Sequence, residues 1–257
     1  MNNKGKMIAL VSVSVVLIAL ILIGTIISVV QKAKERDISA HPGNATEYDI
    51  NNVSSTEQDA LTGKRILFLG SSVTFGTASC GVSFADYIAK RNGCECSKEA
   101  VGGTTLVSGN NSYFTRLKHV DKTRSFDLFI CQLSTNDAAA QKPLGLAADR
   151  TDDTVLGAIN AIVSYVRETW GCPIVFYTNS YFESDAYALM VGGLKELAEK
   201  EDFGVIDLYT DEIFNAIDGE QRKLFMFDRI HPTKAGYLLW WTPKMEEYLN
   251  AYLLRAQ

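Results

Sequence analysis

From about residue 64 to the C-terminus, short apolar runs alternate with stretches of helical periodicity. "RILFLG" (65–70) is a β-rich run that stops on a glycine, and "VSFADYIAKRNG" (82–93) has helical spacing and a glycine stop. "SKEAVG" is a weak second strand, "SYFTRLKHV" a short helix and "FDLFICQL" an apolar strand. In "TVLGAINAIVSYVRETWG", Val155, Ile159, Ile162, Val163 and Val166 share one helical face. "PIVFYT" reads as a fourth strand, "YALMVGGLKELAEKE" as a helix and "FGVIDL" as a fifth strand. The last stretch, 233–254, is helical, with Pro243 starting or kinking its second part. Apolar strands alternating with amphipathic helices predict βαβ units and a parallel sheet covered on both faces. In such sheets, sites form at the carboxyl ends of strands. The places to look are just after Leu69, Val101, Leu133, Thr178 and Leu208.

The N-terminal part follows another pattern. Met7 to Val30 is a run of 24 residues without a charge. As a helix it is long enough for a hydrocarbon core of about 30 Å. It exceeds the apolar core of a cleaved signal peptide, and "QKAKERD" after it offers no cleavage site. The first cysteine is Cys80, so no lipid acceptor lies nearby. The expectation is a single uncleaved transmembrane anchor at 7–30, after a short basic segment at 1–6. Lys4 and Lys6 precede the span, and Lys32, Lys34 and Arg36 follow it, so the basic residues do not favour an outside C-terminal domain. Residues 31–62 are polar and aperiodic and read as a linker to a domain at 63–257.

The net charge of −5 hides an asymmetry. Residues 1–36 hold five basic side chains and one acidic, +4, which leaves −9 for residues 37–257. An acidic domain lacks the basic footprint that nucleic acid needs. Five cysteines and three histidines do not offer a zinc spacing, and a bridge from Cys80 to Cys94 or Cys96 stays open.

The chemistry starts at "ILFLGSSVTFG" (66–76). Gly70 and Gly76 have five residues between them and Thr77 follows, which excludes a Walker loop; the dinucleotide fingerprint is absent too. A serine nucleophile at a strand-to-helix turn remains, and it needs a base. His41 lies in the expected linker and His119 in the charged stretch "RLKHVDK". His231, in "FDRIHPTKAG", has Asp228 three residues before it, a spacing at which a carboxylate can orient an imidazole. "AVGGTTL" and "QLSTNDA" follow the second and third strands, and the Asn of the latter can donate to an oxyanion.

These segments resemble the four blocks of the SGNH or GDSL hydrolases, in order. "LGSSVTFG" resembles G-D-S-x-T-x-G, with Ser72 at the nucleophile position; "VGGTTL" resembles the glycine block, with Gly103 at the oxyanion position. "STND" resembles G-x-N-D, with Asn136 as a further donor, and "DRIH" matches D-x-x-H through Asp228 and His231. Ser71 stands where the family has Asp, and Ser134 where it has Gly. The resemblance implies a flavodoxin-like three-layer α/β/α fold with a five-stranded parallel sheet. It implies hydrolysis of esters without a cofactor or metal, through a Ser72–His231–Asp228 triad and an oxyanion hole of Ser72, Gly103 and Asn136. Phe75, Tyr181 and Phe182 are candidates for the substrate cleft, since they follow strand ends. A small-acyl ester of a carbohydrate or other small alcohol is the expected substrate, with the domain outside the membrane. An acyltransferase on the same acyl-enzyme, and a catalytically silent surface-binding domain, are the alternatives.

Overall fold

The computed structural model describes residues 3–255, with side chains from Leu20 onward. The chain divides into two compact units, residues 1–40 and 41–257. The first is one helix, α1 (Asn3–Ala40). Its described apolar side chains from Leu20 to Val30 are exposed. Among the described residues, no helix is long and apolar enough to cross a membrane. The side chains of residues 7–19 of the expected anchor lie outside the described ones.

The second unit is built on a parallel sheet in the order β2-β1-β3-β4-β5. Its strands are β1 (Arg65–Gly70), β2 (Glu95–Ala100), β3 (Leu128–Gln132), β4 (Ile174–Tyr177) and β5 (Gly204–Ile206). Side chains alternate across the sheet. Leu67, Leu69, Phe129, Cys131 and Phe176 pack with helices α4 (Tyr113–Leu117), α6 (Val155–Thr169) and α7 (Asp185–Glu201). Ile66, Phe68, Ile130, Val175 and Tyr177 pack with α3 (Phe84–Asn92) and with the C-terminal helix. The result is the expected three-layer α/β/α fold with five parallel strands. The first strand lies between the second and third, so the chain reverses its winding at the carboxyl ends of β1 and β3, the place where open α/β sheets bind their ligands. β2 is an edge strand, which lets its polar sequence ECSKEA pair without a continuous apolar run.

After two short helices, α8 (Glu212–Asn215) and α9 (Gly219–Phe225), the C-terminal helix is a π-helical turn at Gly236–Trp241 followed by α10 (Thr242–Arg255), with Pro243 in the first turn of α10. Residues 41–62 differ from the expected linker. Three 3₁₀ turns at Pro42–Asn44, Thr46–Tyr48 and Ile50–Asn52 dock on the sheet domain. Asn44 donates to the Ala78 carbonyl at 2.8 Å and accepts from the Lys234 amide at 2.8 Å. Thr56 pairs with the Arg91 carbonyl through its amide, and Leu61 is fully buried. Leu61 joins the core, and Tyr48, Ile50 and Val53 pack against it, at spacings that follow neither the helix nor the strand period. Cys94 and Cys96 are free thiols, so the bridge from Cys80 to either is not formed.

Candidate active site

Ser72 is the first residue of α2 (Ser72–Phe75), which starts two residues after β1 ends. Amides at a helix start have no partner within the helix. The turn is tight because Thr74 folds back over Gly70: a Cβ on Gly70 would stand 1.8 Å from Thr74 Oγ1. Beneath it, the buried Gln132 at the end of β3 organises the turn. Its Oε1 accepts from the Ser71 amide at 2.9 Å, from Thr74 Oγ1 at 2.8 Å and from the Thr74 amide at 3.3 Å. Thr74 Oγ1 also bonds the Tyr177 hydroxyl at 2.6 Å. Gln132 Nε2 has no partner among the described residues. The carbonyl oxygen meets the donors of the turn, the orientation that satisfies most groups.

His231 lies on a loop closed by an antiparallel bridge between Met226 and Pro232. The Asp228 carboxylate accepts from the amides of Ile230 and His231, each at 2.8 Å. His231 Nδ1 lies 2.8 Å from Asp228 Oδ2 and 2.9 Å from Oδ1. His231 Nε2 lies 2.8 Å from Ser72 Oγ. Partial burial pushes the Asp228 carboxyl up, but its hydrogen bond with His231, the charge there and the two amides outweigh this and hold it at about 2. An ionised carboxylate only accepts, so Nδ1 donates to it. In the neutral ring Nε2 is then the acceptor and faces the Ser72 hydroxyl. Ser72 is 7% exposed and the His231 side chain 23%, so the pair opens to solvent at one edge.

The glycine turn after β2 sits against the serine. A Cβ on Gly102 would lie 3.8 Å from Ser72 Cβ, and Gly103 has φ +78°, a conformation that favours glycine. Asn136 is in α5 (Thr135–Ala139), which Ser134 caps through the Asp137 amide. Asn136 Nδ2 donates to the Thr104 carbonyl at 2.8 Å, next to Gly103. One amide hydrogen is thereby used and the second remains for another acceptor. The structure thus brings Ser72, Asp228 and His231 into one hydrogen-bonded chain and places Asn136 beside the Gly102–Gly103 turn.

A cavity of about 740 Å³ opens beside Asp228, with Tyr181, Phe182, Met226, Arg222 and Arg229 among its walls. That volume suits a small-molecule ligand. Tyr181 is half-exposed there, whereas Phe182 is largely buried in the core and shows only an edge. Phe75 is exposed but is not a wall of this cavity; Lys98 Nζ lies 5.7 Å from its ring centroid. His119 is exposed away from the triad, and His41 Nδ1 accepts from the Gly43 amide.

Three supporting residues escape a sequence reading. Gln132 is the last residue of an apolar strand, Asn179 donates to the Ile230 carbonyl at 3.3 Å, and Arg116 lies buried in α4. The signal for Arg116 is periodicity: with Tyr113 and Leu117 it occupies i, i+3 and i+4 of one buried face.

The sequence profile of the GDSL-like lipase/acylhydrolase family matches residues 68–239. No curated protein matches the sequence. Among solved structures, a protein from Lactobacillus plantarum is similar at 21% identity, covering 74% of this chain and 98% of its own, with a TM-score of 0.65. A GDSL-like lipase from Bacteroides ovatus is similar at 15% identity over 74% of this chain and 99% of its own, TM-score 0.56. A family two carbohydrate esterase from Clostridium thermocellum, solved with cellohexaose, is similar at 16% identity over 79% of this chain and 66% of its own, TM-score 0.54. At these identities the structural likenesses show the fold alone, while the profile match spans most of the sheet domain, including all four blocks. The chain belongs to the GDSL-like lipase/acylhydrolase family and is an ester hydrolase of the SGNH type.

Proposed function

We propose that the protein removes small acyl groups, acetyl above all, from a carbohydrate or other small alcohol, with Ser72 as nucleophile. The observation that carries this reading is the unbroken hydrogen-bonded chain from Ser72 Oγ through His231 to Asp228. His231 Nε2 takes the Ser72 proton as Oγ bonds to the ester carbonyl carbon, and the carbonyl π pair moves onto oxygen. The Ser72 and Gly103 amides and Asn136 Nδ2 hold that oxyanion. The carbon–alkoxy bond then breaks, and His231 gives its proton to the leaving alcohol. Water repeats the sequence on the acyl-enzyme, returning Ser72 and the free acid. Asp228 stays ionised and steadies the imidazolium.

The cavity beside Asp228, with the exposed Tyr181 on one wall, has room for a sugar ring against an aromatic face. The carbohydrate esterase among the structural neighbours supports the same substrate class. The uncharged run at 7–30 supports a membrane anchor, and the resemblance to anchored surface hydrolases is the ground for placing the hydrolase domain outside. Protease digestion of intact cells tests the placement; a protected domain refutes it. The chemistry is tested with p-nitrophenyl esters of increasing chain length and a fluorophosphonate probe. The expected result is turnover greatest for acetate and label on Ser72. A folded protein that takes no label, or a preference for long chains, overturns the corresponding part.

A further inference from the structure

We propose that Arg116 is a positioning residue that holds the oxyanion side of the site in register, an inference that rests on the serine-esterase reading above. Arg116 is 6% exposed, an unusual place for a guanidinium. Nη2 donates to the Gly70 carbonyl at 2.7 Å and to Thr104 Oγ1 at 3.1 Å. Nη1 donates to the Glu99 carbonyl at 2.9 Å and to Glu99 Oε1 at 3.0 Å. The Tyr113 ring lies 5.4 Å from its Cζ. Burying a cation costs free energy unless it is paired and its donors are used, and here they are.

The acceptors form a pattern. Gly70 ends β1, two residues before Ser72. Glu99 lies at the end of β2, before the glycine turn. Thr104 follows Gly103, and its own carbonyl accepts from Asn136 Nδ2 at 2.8 Å. The three groups assigned to the oxyanion therefore come from three strand ends, and one guanidinium plus Thr104 connects all three. A planar fork with fixed donor directions can bridge acceptors on β1, β2 and the turn together; a lysine ammonium, a compact point charge on a flexible stem, cannot reproduce that geometry. Arg116 acts through the backbone of these segments.

Arg116→Gln and Arg116→Lys, assayed on p-nitrophenyl acetate in the full-length protein, are expected to lower kcat by about 10–100-fold while KM moves less than about threefold. The decisive readout is coupling with Asn136→Ala. If Arg116 works through the oxyanion side, Asn136→Ala costs several-fold less in the Arg116→Gln background than in the parent. Independent multiplication of the two effects, full rescue by lysine, or a kcat within twofold of the parent overturns the proposal. Should Arg116→Gln fail to fold, Thr104→Val decides. It removes the Nη2 contact and the Thr104 hydroxyl's bond to the Val101 carbonyl on a partly exposed residue. Its kcat should fall about threefold to tenfold with folding intact, and an unchanged kcat refutes the idea. Ser72→Ala separates the two levels: turnover that survives it removes the underlying reading, whereas an inactive Ser72→Ala beside a fully active Arg116→Gln removes only the positioning role.

Discussion

Gly70→Ala is a small substitution with a large expected effect, and the structure gives its size. The new methyl would stand 1.8 Å from Thr74 Oγ1, 2.6 Å from Thr74 Cβ and 2.9 Å from Gln132 Oε1. Rotating Thr74 moves its hydroxyl aside but leaves the Cβ contact, so the turn itself must move. Overpacking of this kind costs about 1–3 kcal/mol. Losing the Thr74 bonds to Gln132 and Tyr177 strands buried polar groups, at about 1–3 kcal/mol more. The total of about 2–6 kcal/mol corresponds to a fall in melting temperature of about 4–24 °C for a domain of this size. The same shift moves Ser72 relative to His231, where a displacement of about 1 Å can cost roughly 100-fold in turnover. Thermal unfolding and p-nitrophenyl acetate hydrolysis measure both effects. Gly219→Ala is the control: nothing lies within 4 Å of its Cβ position, and it begins α9 (Gly219–Phe225). It should be neutral or slightly stabilising. A Gly70→Ala protein that melts within about 3 °C of the parent and keeps its turnover would refute the packing argument.

Ser72→Ala should abolish turnover and probe labelling. Ser71→Ala should leave both largely intact, because its hydroxyl makes a long 3.3 Å contact to an oxygen that already has three other donors; the two rates of labelling check this. Asp228→Asn should remove a pH-dependent stability contribution. The Asp228 carboxyl is lowered from 3.8 to about 2 in the folded protein, so its stabilisation is fully present above about pH 4 and is lost as pH falls towards 2. The gap in melting temperature between parent and variant should close as pH falls from about 4 to 2; a gap that persists at pH 2 contradicts the assignment. Gly103→Ala should cost about 1–2 kcal/mol through its positive φ alone, since open space surrounds its Cβ position; chemical denaturation measures it, and a stabilised protein would count against the left-handed conformation.

The alternation of strands and helices is legible in the sequence because two periods, 2 and 3.6, are written in the positions of apolar side chains. RILFLG, FDLFICQL and the α6 stripe from Val155 to Val166 each report on burial by one local face. The order of the five strands came from the structure, since pairing is a long-range relation. Ser72, Gly103, Asn136, Asp228 and His231 stand out in the sequence as candidates because the spacing within each block is local. What only the tertiary structure decided lies in contacts between blocks. Residues 41–62 look like a linker because Tyr48, Ile50, Val53 and Leu61, which meet the core, follow no regular period, and Asn44 and Thr56 bond to distant segments. Arg116 looks like a solvated charge in a basic stretch until the fold encloses it between β1, β2 and the glycine turn. Gln132 looks like the polar end of a strand until Ser71 and Thr74 arrive over it. A side chain's own sequence neighbours set its propensity and its face; the donors and acceptors that give a buried polar group its role come from segments tens of residues away, and only the folded chain brings them within reach.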